Sequence, residues 1–283
     1  MTTPSVILCS LVLNEMEWLE KLYEQHRDWP NLLRWVFVEG VDPCYQAANP
    51  SMVSSRGLSV DGTSEFLREL ATNDPRVQYL EVGMSPSSVP AQGKCWLRQH
   101  YLDVANRIHP NAIVVLDADE FYTYEDQLHI PSLILHQPRG GCIFRRREIW
   151  RPPSLGHLPL FFPPHETGMP PTGTLEVVGG FWAIPCCHTW RWVPGMYYAS
   201  NHNTPEVGGR SLGGTFTRYD RVEGMPEMIH LGFASAIEGR RAKHAYYRER
   251  GEGTTDHRGW YTESRAAWET WQPGTVLPRE ARA

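Results

Sequence analysis

Apolar and polar positions divide the first half of the chain into short apolar runs separated by stretches with a helical stripe. Val6 to Leu13 is an unbroken apolar run apart from Ser10, too short for a helix and rich in β-strand formers. Asn14 is a candidate cap for a helix reaching about Asp28, in which Trp18, Leu19, Leu22, Tyr23 and His26 share a face. Arg34 to Glu39 reads as a second strand ending at Gly40, and residues 41–60 read as a loop. Asp61-Gly62-Thr63-Ser64 looks like a turn into a helix ending near Ala71, with Thr63 or Ser64 as its cap. Val77 to Val82 is a third strand, and Lys94 to Ile108 a helix stopped by Pro110. Ile113 to Leu116 is a fourth strand. Four strands alternating with three helices predict a parallel, Rossmann-like sheet.

The pattern changes after residue 140. Cys142 to Trp150 and Thr174 to Ala183 are candidate strands among Pro- and Gly-rich loops with many aromatics. Helical character returns at 234–248, and the tail from Gln272 has no clear pattern. A chain of 283 residues fits one large domain. The division expected is a first half, 1–125, and a loop-rich second half, 126–283, of the same domain. A net charge of -5 excludes overall steering toward polyanions, though not a local basic face. No apolar run approaches the length of a transmembrane helix, and residues 1–5 lack a signal-peptide pattern. The six cysteines form no CxxC pair. Cys186-Cys187-His188 invites a zinc reading, but no second pair exists to complete it. Free thiols and a cytoplasmic location are the expectation.

The candidate chemistry lies where the fourth strand runs into Asp117-Ala118-Asp119-Glu120. Ligands of open α/β sheets bind beyond the carboxyl ends of the strands. In an extended segment, Asp117 and Asp119 project to one side. Two carboxylates so placed call for a hard divalent cation, Mg2+ or Mn2+, of the kind that bridges protein to a diphosphate. The plainer alternative is a solvated acidic turn.

In this order, the residues resemble the GT-A class of nucleotide-sugar glycosyltransferases, family 2 type. The resemblance rests on Leu13-Asn14-Glu15 at the first strand's end and on Glu39 at the second's. It rests equally on Asp61-Gly62-Thr63, on Arg98 in the helix ahead of the fourth strand, and on Asp117-Ala118-Asp119 as the DxD motif. It covers about residues 5–125. Many members of the family run the acidic strand end and the D-G-T segment together, whereas here residues 41–60 separate them. The resemblance implies a GT-A fold with a mostly parallel central sheet flanked by helices, and a metal-dependent transferase using a nucleoside diphosphate sugar, UDP-sugar foremost. Glu39 and Asp61 would then bind the nucleoside. Lys94 and Arg98 would face the diphosphate, the alternative being a solvated helix face. Asp117 and Asp119 would hold the metal, with Asp119 at the reacting centre. His230, in an apolar stretch before Gly232, is the choice for a third ligand, with a buried core histidine as the alternative. Imidazole suits Mn2+ better than Mg2+, so Mn2+ is favoured.

The second half is expected to hold the acceptor. Trp182, Trp190, Trp192, Tyr197 and Tyr198 are candidate stacking surfaces, or the local core. The polar segment Tyr198 to Glu206 looks like a site loop. Family 2 relatives invert, and inversion needs a carboxylate base; Glu206, then Glu176, then Glu166 are the candidates. The favoured acceptor is a saccharide or cell-envelope glycan. Basic, aromatic-bearing runs at 145–151 and 240–248 keep open a hydroxymethylated pyrimidine in DNA. A nucleotidyltransferase would carry a Gly-rich basic loop where Asn14-Glu15-Met16-Glu17 stands. A non-catalytic carbohydrate- or nucleic-acid-binding module would leave the carboxylates unexplained.

Overall fold

The computed structural model describes residues 4–87, 89–136, 140–150, 180–182, 188–199, 203–219 and 222–233. The first half follows the alternation seen in the sequence. Strand β1 (Val6–Val12) leads to α1 (Met16–His26), then β2 (Leu32–Val41), α2 (Pro43–Ala48), α3 (Thr63–Asn73), β3 (Val77–Met84), α4 (Pro90–Ile108) and β4 (Ala112–Val115). β1 lies between β2 and β4, β3 pairs outside β2, and all these pairings are parallel. Both faces of this sheet are covered, which is why its strands read as continuous apolar runs. Alternate residues divide between the faces. Val6, Leu8, Trp35, Phe37 and Val114 pack with Trp18, Leu22 and Leu67 of α1 and α3. Ile7, Cys9, Val36, Val38 and Val115 pack with Leu97, Tyr101 and Ala105 of α4.

The second half builds onto the same sheet. After β4 come β5 (Glu120–Phe121), α5 (Tyr124–Leu135), β6 (Gly141–Ile143), β7 (Arg145–Trp150), β8 (Gly180–Trp182) and β9 (Thr189–Arg191). Short strands β10 (Met196–Tyr197), β11 (Glu206–Val207), β12 (Arg210–Ser211) and β13 (Thr217–Arg218) follow, then β14 (Glu227–Phe233). The large sheet has the order β13-β6-β9-β4-β1-β2-β3; the others are β10-β11-β12 and β5-β14-β7-β8. β9 runs antiparallel between β4 and β6. The central sheet is therefore mostly parallel, seven-stranded and flanked by helices.

Several local expectations are corrected. Cys142 to Trp150 is two strands in two sheets, because the chain passes between them at the buried Phe144. α4 begins at Pro90 rather than Lys94, with proline in the first turn, where its missing N–H costs nothing. Residues 41–60 contain α2, capped by Asp42 Oδ1 accepting from the Cys44 and Tyr45 N–H groups, and a 3-10 turn at Pro50–Met52. Asn14 does not cap α1. It sits at φ 55° and bonds to the 41–60 segment instead. Neither Thr63 nor Ser64 caps α3, whose N-cap is Gly62 at φ 100°. The expected helix at 234–248 lies outside the described residues.

Candidate functional site

The functional candidates gather at the carboxyl ends of the parallel strands. β4 stops at Val115, and the chain turns rather than continuing extended: the Glu120 N–H donates to the Asp117 carbonyl at 3.0 Å. Glu120 Oε2 accepts the Asp117 N–H at 3.0 Å, closing the turn from the side-chain end. The expectation that Asp117 and Asp119 share one side of an extended strand is thus corrected, since the i, i+2 rule holds only for extended backbone. Asp117 is half-exposed, with Oδ1 3.8 Å from Arg98 Nη2. Asp119 is nearly buried, with Oδ2 3.5 Å from His230 Nε2.

His230 reaches this position through backbone pairing. β14 runs antiparallel to β5 with His230 opposite Glu120 and Ile229 opposite Phe121, and the Leu231 N–H donates to the Asp119 carbonyl at 2.7 Å. The sequence reading missed the next pair. Glu120 is buried, and its Oε2 lies 3.0 Å from Nδ1 of the equally buried His188. Burial, the largest single influence, would raise the Glu120 pKa; the charge and hydrogen bond of His188 together with the charge of His230 outweigh burial and the repulsion from Asp117, holding the carboxyl below its usual range. The only signal was His188 itself, next to two cysteines that suggested zinc.

Arg98 is buried on α4. Its Nη1 donates weakly to the Tyr101 hydroxyl at 3.4 Å, and that hydroxyl lies 3.1 Å from Tyr198 Oη. Burial opposes the guanidinium charge, and the oxygens of Tyr101, Asp117 and Tyr198 outweigh it and hold the group firmly protonated. Its Nε has no hydrogen-bond partner among the described residues. A buried cation whose counterion stands as far as 3.8 Å away and whose Nε is unbonded among the described residues is costly, and an incoming anion would relieve that cost. Lys94 stands one turn earlier on α4, half-buried. Tyr198 adjoins the segment in which Glu206 on β11 has its Oε2 3.5 Å from the Tyr197 hydroxyl. The Cys95 thiol pKa is raised by its burial, with a smaller contribution from the Glu206 charge.

Glu39 lies near the carboxyl end of β2, and Asp61 just before α3. Glu39, expected to bind a nucleoside, has no exposure: its carboxylate accepts from the Ser59 N–H at 2.6 Å, from Ser64 Oγ and from the Tyr79 hydroxyl. Asp61 is exposed and clips two helix starts together, Oδ2 accepting from the Met16 N–H and Oδ1 from the Thr63 N–H. Of the stacking candidates, Trp190 is core, Trp192 stacks on His109, and the Trp182 side chain lies outside the described residues. Glu166, Glu176 and the 240–248 run also lie outside.

Among the described residues no three of His, Cys, Asp and Glu stand close enough to hold a metal ion together. The Asp119–His230 pair nevertheless has suitable chemistry. Two ligands at right angles on an octahedral Mg2+-like ion stand about 3 Å apart, and such ions take one or two protein ligands and complete their shell with phosphate and water. Among the described residues no helix is long and apolar enough to cross a membrane.

No protein-family model matches the chain, and no curated protein matches it. Among solved structures, it is similar to the mannosyltransferase PcManGT from Pyrobaculum calidifontis, in complex with GDP-Man and Mn2+, at 21% identity and a TM-score of 0.31. That match covers 54% of this chain and only 38% of the mannosyltransferase. It is also similar to S. aureus TarS 1–349 at 8% identity and a TM-score of 0.41, over 94% of this chain and 70% of TarS. Apart from these matches, the sheet order and the carboxylate turn after β4 give the chain a GT-A-like α/β fold.

Proposed function

We propose that the chain is a metal-dependent glycosyltransferase that moves a sugar from a nucleoside diphosphate sugar, UDP-sugar foremost, to an acceptor hydroxyl. The observation that carries this reading is the meeting of Asp119 with His230 and of Asp117 with Arg98 on one turn at the carboxyl end of a parallel sheet. Asp119 and His230 would hold the divalent ion, Mn2+ favoured by the imidazole, with Asp117 facing it across the turn. Bound there, the ion supplies Lewis-acid neutralisation of the charge growing on the leaving diphosphate. Arg98, with Lys94 one turn away, places fixed positive charge beside the same leaving group. Asp61 stands where a nucleoside would lie, beyond the ends of β1 and β2.

Glu206 is the proposed base. Deprotonating the acceptor hydroxyl on the face opposite the leaving group gives inversion at the anomeric carbon. Its contact with the Tyr197 hydroxyl, beside Tyr198, which meets Tyr101 next to Arg98, supports that role. A saccharide acceptor is favoured, and a cytoplasmic location remains part of the proposal. The test is a panel of UDP- and GDP-sugars with Mn2+, Mg2+ or EDTA, read by thermal shift and released nucleotide. Metal-dependent stabilisation by one nucleotide class is the expected result; no response to any donor overturns the reading.

A further inference from the structure

Residues 49–64 cross the carboxyl ends of β1 and β2 and are held from both strands. From the tip of β1, Asn14 donates through Nδ2 to the Met52 carbonyl at 2.6 Å. Its Oδ1 accepts from the Val60 N–H, and its own N–H donates to Ser59 Oγ, both at 2.9 Å. These bonds need Asn14 left-handed, at φ 55°, which Asn tolerates better than most residues. From β2, in register with Val12, Glu39 receives the Ser59 N–H and Ser64 Oγ. The Tyr79 hydroxyl donates to Glu39 from the far side on β3, and burial together with that bond raises the Tyr79 pKa, keeping the phenol a donor. The Glu39 carboxylate has no exposure and accepts from Ser59, Ser64 and Tyr79, and five of these six bonds end on the crossing segment. The segment exposes Pro50, Ser51, Ser55 and Arg56 as well as Val60, 53% exposed, and Asp61; of these, Val60 and Asp61 directly follow the clamped Ser59.

We infer that Glu39 is a positioning residue for the nucleotide site: with Asn14 it clamps residues 49–64 across the strand ends, and the nucleoside meets the exposed Val60–Asp61 tip rather than the Glu39 carboxylate. This rests on the glycosyltransferase reading. The stretch between Glu39 and Asp61 is then no mere spacer but the wall against which a nucleoside is placed.

The test uses the full chain with UDP, GDP, their 2′-deoxy forms and inorganic pyrophosphate, each with Mn2+, and hydrogen exchange across 49–64. Glu39→Gln keeps the shape and removes the charge from the clamp. It is expected to speed exchange at 58–64 and weaken both nucleotides about tenfold, the scale of one charge-assisted hydrogen bond. The loss should be equal for ribo and deoxy forms and absent for pyrophosphate. Asn14→Gly keeps the left-handed backbone, removes both side-chain bonds and is expected to reproduce this pattern without touching Glu39. A loss confined to the ribo forms with unchanged exchange would mean that Glu39 touches the sugar, and would overturn the inference. So would faster exchange with unaltered nucleotide affinity. A wild-type chain that binds pyrophosphate and no nucleotide overturns it as well. One that binds none of the probes overturns the glycosyltransferase reading instead, and exchange in the two variants still decides whether the clamp exists.

Discussion

Asp119 Oδ2 and His230 Nε2 face each other at 3.5 Å, one in the turn that ends the parallel sheet and the other on a strand of the second half. The Leu231 N–H to Asp119 carbonyl bond fixes their separation from the backbone, so neither side chain has to find the other unaided.

Asp119→Asn keeps the volume and removes the charge. It is expected to abolish Mn2+-dependent stabilisation by nucleotide in a thermal-shift assay and to lower turnover by about a hundredfold or more. Far-UV circular dichroism should be unchanged. Full activity in this variant would remove the metal site.

Arg98→Met separates stability from function. Replacing a buried, incompletely bonded cation by an apolar chain of similar length is expected to leave the melting temperature level or higher. Donor turnover should fall about a hundredfold. Arg98→Lys should fail similarly in turnover, because an ammonium cannot reproduce the planar fork. A large drop in stability with intact turnover would make Arg98 purely structural.

His26 sets an acid limit. Its Nδ1–H donates to the Leu22 carbonyl and its Nε2 accepts the Tyr122 N–H, so the ring is neutral, stacked on Trp29 and edge-on to Trp35. Burial drives its pKa from 6.5 down to about 4, against the pull of the Leu22 carbonyl. Both states are neutral above 6.5. Between 6.5 and about 4 only the unfolded chain takes the proton, so stability falls as pH falls, by about 3 kcal/mol in all. Urea unfolding at several pH values should show this slope for the wild type, and His26→Gln should flatten it.

Gly40 is the tightest point between β2, β3 and α4. A Cβ there would meet the Gly83 carbonyl and stand 2.6 Å from Leu97 Cδ2. Gly40→Ala is expected to cost about 1–3 kcal/mol by denaturant unfolding. Gly208→Ala tests a different term, since nothing crowds it: any loss there comes from its φ of 56° alone.

The parallel half was legible because its strands are buried on both faces and its helices on one, patterns that survive in sequence. The capping assignments at Asn14 and Thr63 failed for a physical reason. A polar side chain before a helix can serve its own helix or a distant segment, and here Asn14 holds Met52 and Val60 while Thr63 Oγ1 accepts the Glu15 N–H. The meeting of His230 with Asp119 follows from strand pairing, which no local spacing encodes; only its apolar setting marked it. The Glu120–His188 pair had no comparable mark. Asp117 and Asp119 were read as a matched pair on an extended strand, but β4 ends at Val115 and in the turn that follows Asp117 approaches Arg98 while Asp119 approaches His230.

The pairing of β5 with β14 has a temporal meaning. β5 has two residues, and its partner is made only after the chain has passed residue 226. The carboxylate turn closes on itself through Asp117 and Glu120, but the meeting of Asp119 with His230 waits for a strand from far downstream. The Asp119–His230 pair therefore arrives with the second half of the chain, and a product truncated before β14 would lack it.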